Sequence, residues 1–570
     1  VDYDVAIIGG GPTGSTCGSL LKKYDPSLRV VILERESFPR DHVGESQLPM
    51  IGPILDEMGC WDKIEAANFP IKIGATYRWG RTDDLWDFEF LPGASFDDAP
   101  RPGRFEGQRV QTAWQVDRAV YDDILLRHAE ELGVEVREET KVQKVLSSGD
   151  RIDGLQLATG EVVKAQYYVD GSGSAGVLRR AMGVEIESPT LLRNIAIWDY
   201  WQNAEWAVKI GVGGTRVQVM SLGYGWIWFI PLSPTRTSVG LVTSADYYKK
   251  CGLRPAELYA KALAEEPRIS DLLRRATSED KLATTKDWSF WSERAYGENW
   301  FLAGEALGFA DPILAAGMTL AHTGAREAAY TILELNRGEL DDAWLKERYE
   351  ENQINRIKAH LKFAEFWYSA NGVFTDIKEY TSEIARESGL TLSADEAFRW
   401  LSTGGFTHDD YRMAQIGTWD VTSIKLMAQR FTGEEANWEV GQNNVFELDL
   451  VGTTSESLPA MENGRIFKVR AYSRGGKRLP NVGYYRDVIK VLLSERTAMG
   501  FSKALQALYR QRGQNLQVCF PAALQALEAM IAEGWVKASY DPGLQSMPVR
   551  TPEETSCVHA NRDAPVVAAS

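Results

Sequence analysis

The sequence predicts an α/β protein with a parallel-sheet core, an inserted antiparallel sheet and a mostly helical C-terminal extension. Three observations carry that reading. The first 35 residues read strand, glycine turn, helix, strand; residues from about 70 to 240 alternate strand-like runs with turns; and residues 484–539 repeat apolar positions at helical spacing. With 570 residues there is room for roughly three or four domains. Hydrophobic residues at 44% and charged residues at 25% exclude a disordered, collagen-like or rod-like chain. The balance of 63 Lys and Arg against 79 Asp and Glu, net −16, argues against nucleic acid as a partner. Cys17, Cys60, Cys251, Cys519 and Cys557 form no CxxC, and the six histidines show no ligand spacing, so neither a metal site nor a disulfide framework is expected. The chain opens into Val5-Ala6-Ile7-Ile8 without a basic and apolar leader, and no stretch nears the ~20 apolar residues of a membrane helix. A cytoplasmic protein with no membrane partner is the expectation.

Asp4-Val5-Ala6-Ile7-Ile8 reads as a buried strand, residues 12–24 as a helix ending near Pro26, and Arg29-Val30-Val31-Ile32-Leu33 as the next strand. Between them lies Gly9-Gly10-Gly11-Pro12-Thr13-Gly14. Glycines at 9, 11 and 14 allow backbone N–H groups at a helix start to approach a pyrophosphate that any side chain would block. Glu34, 20 residues beyond the last glycine, sits where an acid would accept from ribose hydroxyls, with Arg35 beside it. The pattern predicts dinucleotide binding by Gly9, Gly11, Pro12, Thr13, Gly14, Glu34 and Arg35.

The first domain is expected to be discontinuous, over 1–75, 100–180 and 285–365, because Trp300-Phe301-Leu302-Ala303 reads as a buried returning strand and 318–365 as helical. An antiparallel, substrate-side domain would take 76–99 and 181–284. The C-terminal extension would span 366–545, winged-helix-like near 484–540, followed by an extended tail over 546–570 containing Pro548, Pro552 and Pro565. Gly211-Val212-Gly213-Gly214 reads as a hairpin turn, with no strand–helix unit to make it a nicotinamide site.

Later blocks specify the dinucleotide. Residues 299–312, from Asn299 through Gly304-Glu305 to Asp311-Pro312, resemble the second FAD fingerprint of class A flavoprotein monooxygenases, in which an acid binds the ribityl chain. The usual Gly-Asp of that fingerprint is Gly304-Glu305 here; Asp311 and Pro312 match. Val116-Asp117-Arg118 resembles the family helix whose Arg lies beside the FAD pyrophosphate, and Asp170-Gly171-Ser172-Gly173 its Asp-Gly turn. The resemblance implies an FAD-binding, Rossmann-like domain with Arg118, Asp170, Asp311 and Gly317 at the cofactor.

Gly225-Trp226-Ile227-Trp228-Phe229-Ile230-Pro231 has the WxWxIP pattern of flavin-dependent halogenases, although a strand with aromatics alternating on one face would read the same way. Val43-Gly44-Glu45-Ser46 and Phe69-Pro70-Ile71-Lys72-Ile73-Gly74-Ala75 are similar to two further segments of that family, the second bearing its active-site lysine. The match covers roughly 1–365. It implies Lys72 and Glu45 as catalytic residues, and Trp226 and Trp228 as a wall that keeps an organic substrate off the flavin. Phe309-x-x-Pro312-x-x-Ala315-x-Gly317 follows another signature of the family that normally has Ser at the place of Ala315, and implies chloride at the amides of Ala316 and Gly317. Leu314-Ala315 replaces the Glu-Ser of tryptophan-acting members, so free tryptophan is not the expected substrate. Asp280 and Asp287 are conceivable points of covalent flavin attachment.

What the resemblance implies is a two-component halogenase of antibiotic biosynthesis. A separate reductase supplies FADH2, a flavin C4a-hydroperoxide formed with O2 oxidises chloride to hypochlorous acid, and Lys72 relays the chlorine. Electrophilic chlorine needs an electron-rich arene or an enolisable carbon. The layout with a long C-terminal extension points to an acyl unit on an acyl or peptidyl carrier protein, giving a dichloroacetyl product. A class A FAD/NADPH hydroxylase and a non-catalytic FAD-binding interaction protein are the alternatives.

Overall fold

The computed structural model describes residues 2–90, 112–188, 190–209, 213–286, 288–390, 393–402, 415–416, 419–549 and 558–561. It divides into two compact units, residues 1–388 with the segment from His559 onward, and Gly389–Val558.

In the first unit, apolar runs without polar alternation make strands buried on both faces. Tyr3–Ile8 pairs in parallel with Val30–Leu33 on one side and Ala165–Asp170 on the other. Glu135–Arg137 and Trp300–Leu302 complete a five-stranded parallel sheet in the order Trp300–Leu302, Ala165–Asp170, Tyr3–Ile8, Val30–Leu33, Glu135–Arg137. Parallel strands share one carboxyl edge, so Gly9, Glu34, Gly171 and Gly304 emerge together there. Helix Pro12–Tyr24 starts at Gly11 with Pro at its first position and packs against helices Gly317–Arg337 and Arg118–Glu131. A single imidazole ties the three. His322 Nδ1 shares a hydrogen bond with Thr16 Oγ1 at 2.8 Å, and Nε2 one with the Tyr121 hydroxyl at 2.8 Å.

The inserted sheet is larger than the segments expected for it. Asn194–Gln202, Arg236–Ser244, Gly225–Pro231 and Gly214–Leu222 run as antiparallel neighbours, and Ile71–Arg78 joins in parallel to Gly214–Leu222. Leu85–Glu89 and Ala113–Trp114 pair with Ile71–Arg78 in turn. The whole of Ile71–Arg78 lies in this sheet, where the sequence reading placed a boundary at 75. Strand Val558–Ala560 adds to the edge at Leu85–Glu89, with Asn561 N donating to Leu85 O at 3.0 Å. Pairing to an edge strand thus orders a segment that lacks any periodicity of its own.

The second unit begins at Gly389, while helices Asp342–Ser369 and Lys378–Ser388 belong to the first. It carries a hairpin, Thr454–Glu462 with Arg465–Arg474, extended by Lys477–Pro480, beside helices Gly483–Leu492, Ala498–Gln511 and Leu516–Ala532. That is a helix-and-wing arrangement. Its core holds an ion pair between Lys425 and Glu528, whose carboxylate also accepts from the amides of Glu439 at 3.1 Å and Val440 at 2.9 Å. No helix among the described residues is long and apolar enough to cross a membrane.

Burial, with Arg118 nearby, holds the His322 imidazole down to about 3, whereas an unfolded histidine protonates near about 6.5. Its contribution to stability is therefore full above pH about 6.5 and is lost as the pH falls toward about 3. His322→Phe strands two buried hydroxyls and is expected to cost about 1–3 kcal/mol at pH ~7.5. The deficit should shrink at pH ~5, where the wild type is itself weakened; apparent Tm at the two pH values measures both.

Candidate active site

Close approach dictates the glycine turn. Gly9 has φ +99°, and a Cβ there would stand 2.5 Å from the Gly171 carbonyl oxygen; one at Gly14 would stand 1.9 Å from that of Gly9. Gly11 is open, with nothing nearer to such a Cβ than an Arg40 guanidinium nitrogen at 3.5 Å. No side chain caps the helix that starts there. The amide end of that helix is thus left for an anion. Glu34 braces the turn, accepting from Gly10 N at 2.6 Å and Glu36 N at 2.9 Å. Arg35 is exposed and pairs with Glu36. Thr13 Oγ1 fills the space that a side chain at Gly304 would need, and Pro12 sets the helix start.

Arg118 is buried at the rim. Nε and Nη2 hold Asp122 at 2.7 and 2.9 Å, while Nη1 donates to the carbonyls of Val43 at 3.1 Å and Gly44 at 3.0 Å. Glu305 feels that guanidinium, although burial still raises its pKa above the usual carboxylate value. Its Oε2 lies 3.8 Å from where a side chain at Gly173 would begin. Open turn, uncapped helix end, rim cation and two acids suit the pyrophosphate and polyhydroxyl chain of FAD.

Two expected cofactor residues are otherwise occupied. Asp170 caps its own turn, accepting from Ser172 N and Oγ at 3.1 and 2.6 Å and from Leu178 N at 2.7 Å. Asp311 points into a buried polar group with Asn194 and Trp288, each donating at 3.2 Å, the Tyr368 hydroxyl at 3.3 Å and Ile313 N at 2.9 Å. Of the two acids near the second fingerprint, Glu305 rather than Asp311 neighbours the Asp-Gly turn.

Lys72 lies on Ile71–Arg78, 5% exposed, with Nζ donating to Gln47 O at 2.9 Å and 5.4 Å from the centroid of the Phe90 ring. Removal from water lowers its pKa to about 7. The chain brings Glu45 close by strand pairing. Ala113–Trp114 pairs with Ile71 and Lys72, and the 45–47 segment lies along its other side through Val116 N to Glu45 O at 2.9 Å and Gln47 N to Trp114 O at 3.1 Å. Glu45 is 2% exposed and accepts from the Tyr200 hydroxyl at 3.0 Å. Burial pushes its carboxyl up to about 7 against the pull of Tyr200 and Arg118. An amine and a carboxyl, both buried and both displaced toward neutrality, are each an acid–base candidate by the usual criterion.

The turn before helix Gly317–Arg337 reaches the same place. Gln47 Nε2 donates to Met318 Sδ at 3.9 Å. Ala315 has φ +53°, Ala316 is the uncapped start of the helix, and a Cβ on Gly317 would stand 2.9 Å from the Phe309 ring. Trp226 and Trp228 line the buried strand Gly225–Pro231, their ring centroids 6.1 Å apart. Trp226 donates to the Tyr368 hydroxyl at 2.8 Å and Trp228 to Ser238 Oγ at 3.0 Å. Gly240 makes room for the second indole, whose ring would be 2.1 Å from a Cβ there.

Tyr200, Gln47, Phe90 and Arg40 join the site without any spacing signal in the sequence; each arrives through long-range strand pairing or packing. Asp280 sits in an exposed turn at φ +54°, between Glu279, which pairs with Arg236 at 3.1 Å, and Lys281, 3.7 Å from Asp41. Asp287, Gly211 and Val212 lie outside the described residues. No metal-binding cluster is present among the described residues.

The family model for tryptophan halogenase matches residues 4–102 and 94–375. The chain is 32% identical over 387 residues to the 1H-pyrrole-2-carbonyl-(peptidyl-carrier protein) chlorinase of Pseudomonas fluorescens, spanning 66% of this chain and 85% of that one. It is 32% identical over 354 residues to the tryptophan 2-halogenase of Chondromyces crocatus, spanning 61% and 64%. The structure of CndH, the myxobacterial chondrochloren halogenase, aligns with a TM-score of 0.58 at 31% identity, over 65% of this chain and 83% of that one. CmlS, a flavin-dependent halogenase, aligns with a TM-score of 0.70 at 24% identity over 97% and 98%, a likeness of fold that runs through the second unit as well. With the model spanning the glycine turn, Lys72 and the paired tryptophans, the chain belongs to the tryptophan halogenase family, whose relatives are FAD-dependent halogenating enzymes.

Proposed function

We propose that the protein is a two-component chlorinating enzyme that takes FADH2 from a separate reductase and passes chlorine through Lys72 to an enolisable acyl group, bound to a carrier protein. The observation that carries this reading is a lysine 5% exposed with its pKa near about 7, so that much of it is a neutral amine at physiological pH. Gly9, Gly11, Gly14, Glu34, Arg118 and Glu305 would hold the cofactor. When bound, reduced FAD would supply two of the four electrons that O2 takes up, chloride giving the other two and leaving as hypochlorous acid, with water as the second product. Chloride would rest at the amides of Ala316 and Gly317, at the helix start that no side chain caps.

The Lys72 amine lone pair takes chlorine from hypochlorous acid; the N–Cl bond forms, the Cl–O bond breaks, and the departing hydroxide leaves as water with the amine's proton. An enol or enolate carbon then takes the chlorine, and the amine is restored. Protonated Glu45, placed by Tyr200, relays that proton, giving its own to the leaving oxygen and taking the amine's in return. Trp226 and Trp228 keep the organic substrate apart from the flavin. A carrier-bound substrate is supported by the activity in the name of the Pseudomonas fluorescens relative; the enolisable acyl group and the dichloroacetyl product are inferred from the long C-terminal extension, whose fold is like that of CmlS.

In an assay with FAD, a flavin reductase, NADH, O2, chloride and a phenolic probe, Lys72→Ala should lower chlorination by about 100-fold or more while flavin oxidation continues. Chlorination at the wild-type rate would remove Lys72 from the mechanism. The pH profile of kcat/KM should be bell-shaped, rising through about 7 as Lys72 loses its proton and falling through about 7 as Glu45 loses its own. Glu45→Gln should abolish the alkaline limb and leave the acid limb in place.

A further inference from the structure

Charge is unevenly placed along this acidic chain. Between Thr454 and Arg512 it carries twelve Lys and Arg against four Asp and Glu, although the whole is net −16. All of these lie in the second unit. Lys468 and Arg470 share one face of the hairpin strand Arg465–Arg474, and both are exposed. Arg486 and Lys490 stand exposed four residues apart on Gly483–Leu492, and Lys503 and Arg510 seven apart on Ala498–Gln511. The two helices pack together through Tyr484 and Tyr509, ring centroids 6.3 Å apart, and through Arg512 on Asp487 at 2.8 Å. The hairpin's third strand, Lys477–Pro480, packs against Gly483–Leu492 as well, so the hairpin and both helices are neighbours.

Leu493, between Lys490 and Arg496 in the chain, is 72% exposed, and Phe467, 51% exposed, projects from the face of its strand opposite Lys468 and Arg470. An exposed apolar side chain flanked by cations suits a protein surface, whereas a nucleic acid is met by polar and cationic groups on a helix that enters a groove. The longest helix here, Leu516–Ala532, has neither Lys nor Arg. A local excess of cations on a chain that is acidic as a whole also steers an acidic partner toward that part of it.

We propose that this surface of the second unit docks an acidic carrier protein that bears the acyl substrate. The inference rests on the carrier-bound reading above and adds where the carrier binds. The test uses the full-length, FAD-loaded enzyme and a fluorescent, acetyl-loaded acyl carrier protein of net negative charge, with binding followed by anisotropy at about 50 and 200 mM salt. A random-sequence DNA duplex serves as competitor. Arg470→Glu/Lys490→Glu/Lys503→Glu should weaken carrier binding at least about tenfold and raise KM for carrier-bound acetyl by a similar factor. Wild-type binding should fall with salt, and Lys72-dependent chlorination of a free phenolic probe should be unchanged in the variant.

Chlorination of the carrier-bound substrate with the same KM in the variant and the wild type would overturn the docking surface while leaving the carrier reading intact. Wild-type enzyme that chlorinates the phenol but neither binds nor chlorinates the carrier at low salt would overturn both. DNA that binds more tightly than the carrier and displaces it would assign the surface to nucleic acid instead.

Discussion

An ammonium group withdrawn from water without a carboxylate partner is costly, and Lys72 has no such partner among the described residues. Its hydrogen bond goes to a neutral carbonyl, that of Gln47, and the Phe90 ring lies nearby. The favourable response is loss of the proton, which is why the amine is displaced to about 7 rather than stabilised as a cation. Everything around it preserves that condition. Ile71–Arg78 is held between Gly214–Leu222 and its antiparallel partners, which fixes the backbone that carries the buried lysine.

Glu45 is governed by a second set of contacts that joins the inserted sheet to the parallel one. Arg118 grips the carbonyls before Glu45, and Tyr200 grips its carboxyl. Tyr200 is itself covered by the Arg236 guanidinium, 4.0 Å from its ring centroid. Arg236 pairs with Asp41, in the loop leading to Glu45, at 3.1 Å and with Asp117, the cap of the Arg118 helix, at 2.8 Å. One guanidinium thereby links the sheet that carries Tyr200 to both elements that place Glu45. The tryptophan strand is anchored as firmly, through Tyr368 and Ser238, so that the two indoles are held in place.

Local elements were legible because local chemistry specifies them. The strand–turn–helix–strand at the start follows from glycines that backbone contact forbids to be anything else, as the 1.9 Å approach at Gly14 shows. Trp226 and Trp228 fall on the buried strand their alternation suggested. What spacing could not convey is long-range assembly. Tyr200 is 155 residues from Glu45, and no periodicity links them. Asp311 matched a fingerprint yet turned to Asn194, Trp288 and Tyr368, whereas the one-methylene-longer Glu305 came to neighbour the Asp-Gly turn. Val558–Ala560 gained its strand from the edge at Leu85–Glu89 rather than from its own sequence. Overall net charge concealed the basic surface of the second unit, because the acids elsewhere outnumber it.

The claim on which the account turns is that burial makes Lys72 a neutral amine near physiological pH. Its most direct test is the titration of the lysine ε-carbons by NMR in 13C-lysine-labelled protein, with Lys72→Arg to assign the signal. The account predicts one resonance with a midpoint near about 7 that disappears in the variant. A Lys72 resonance titrating with the surface lysines near about 10.4 would contradict it.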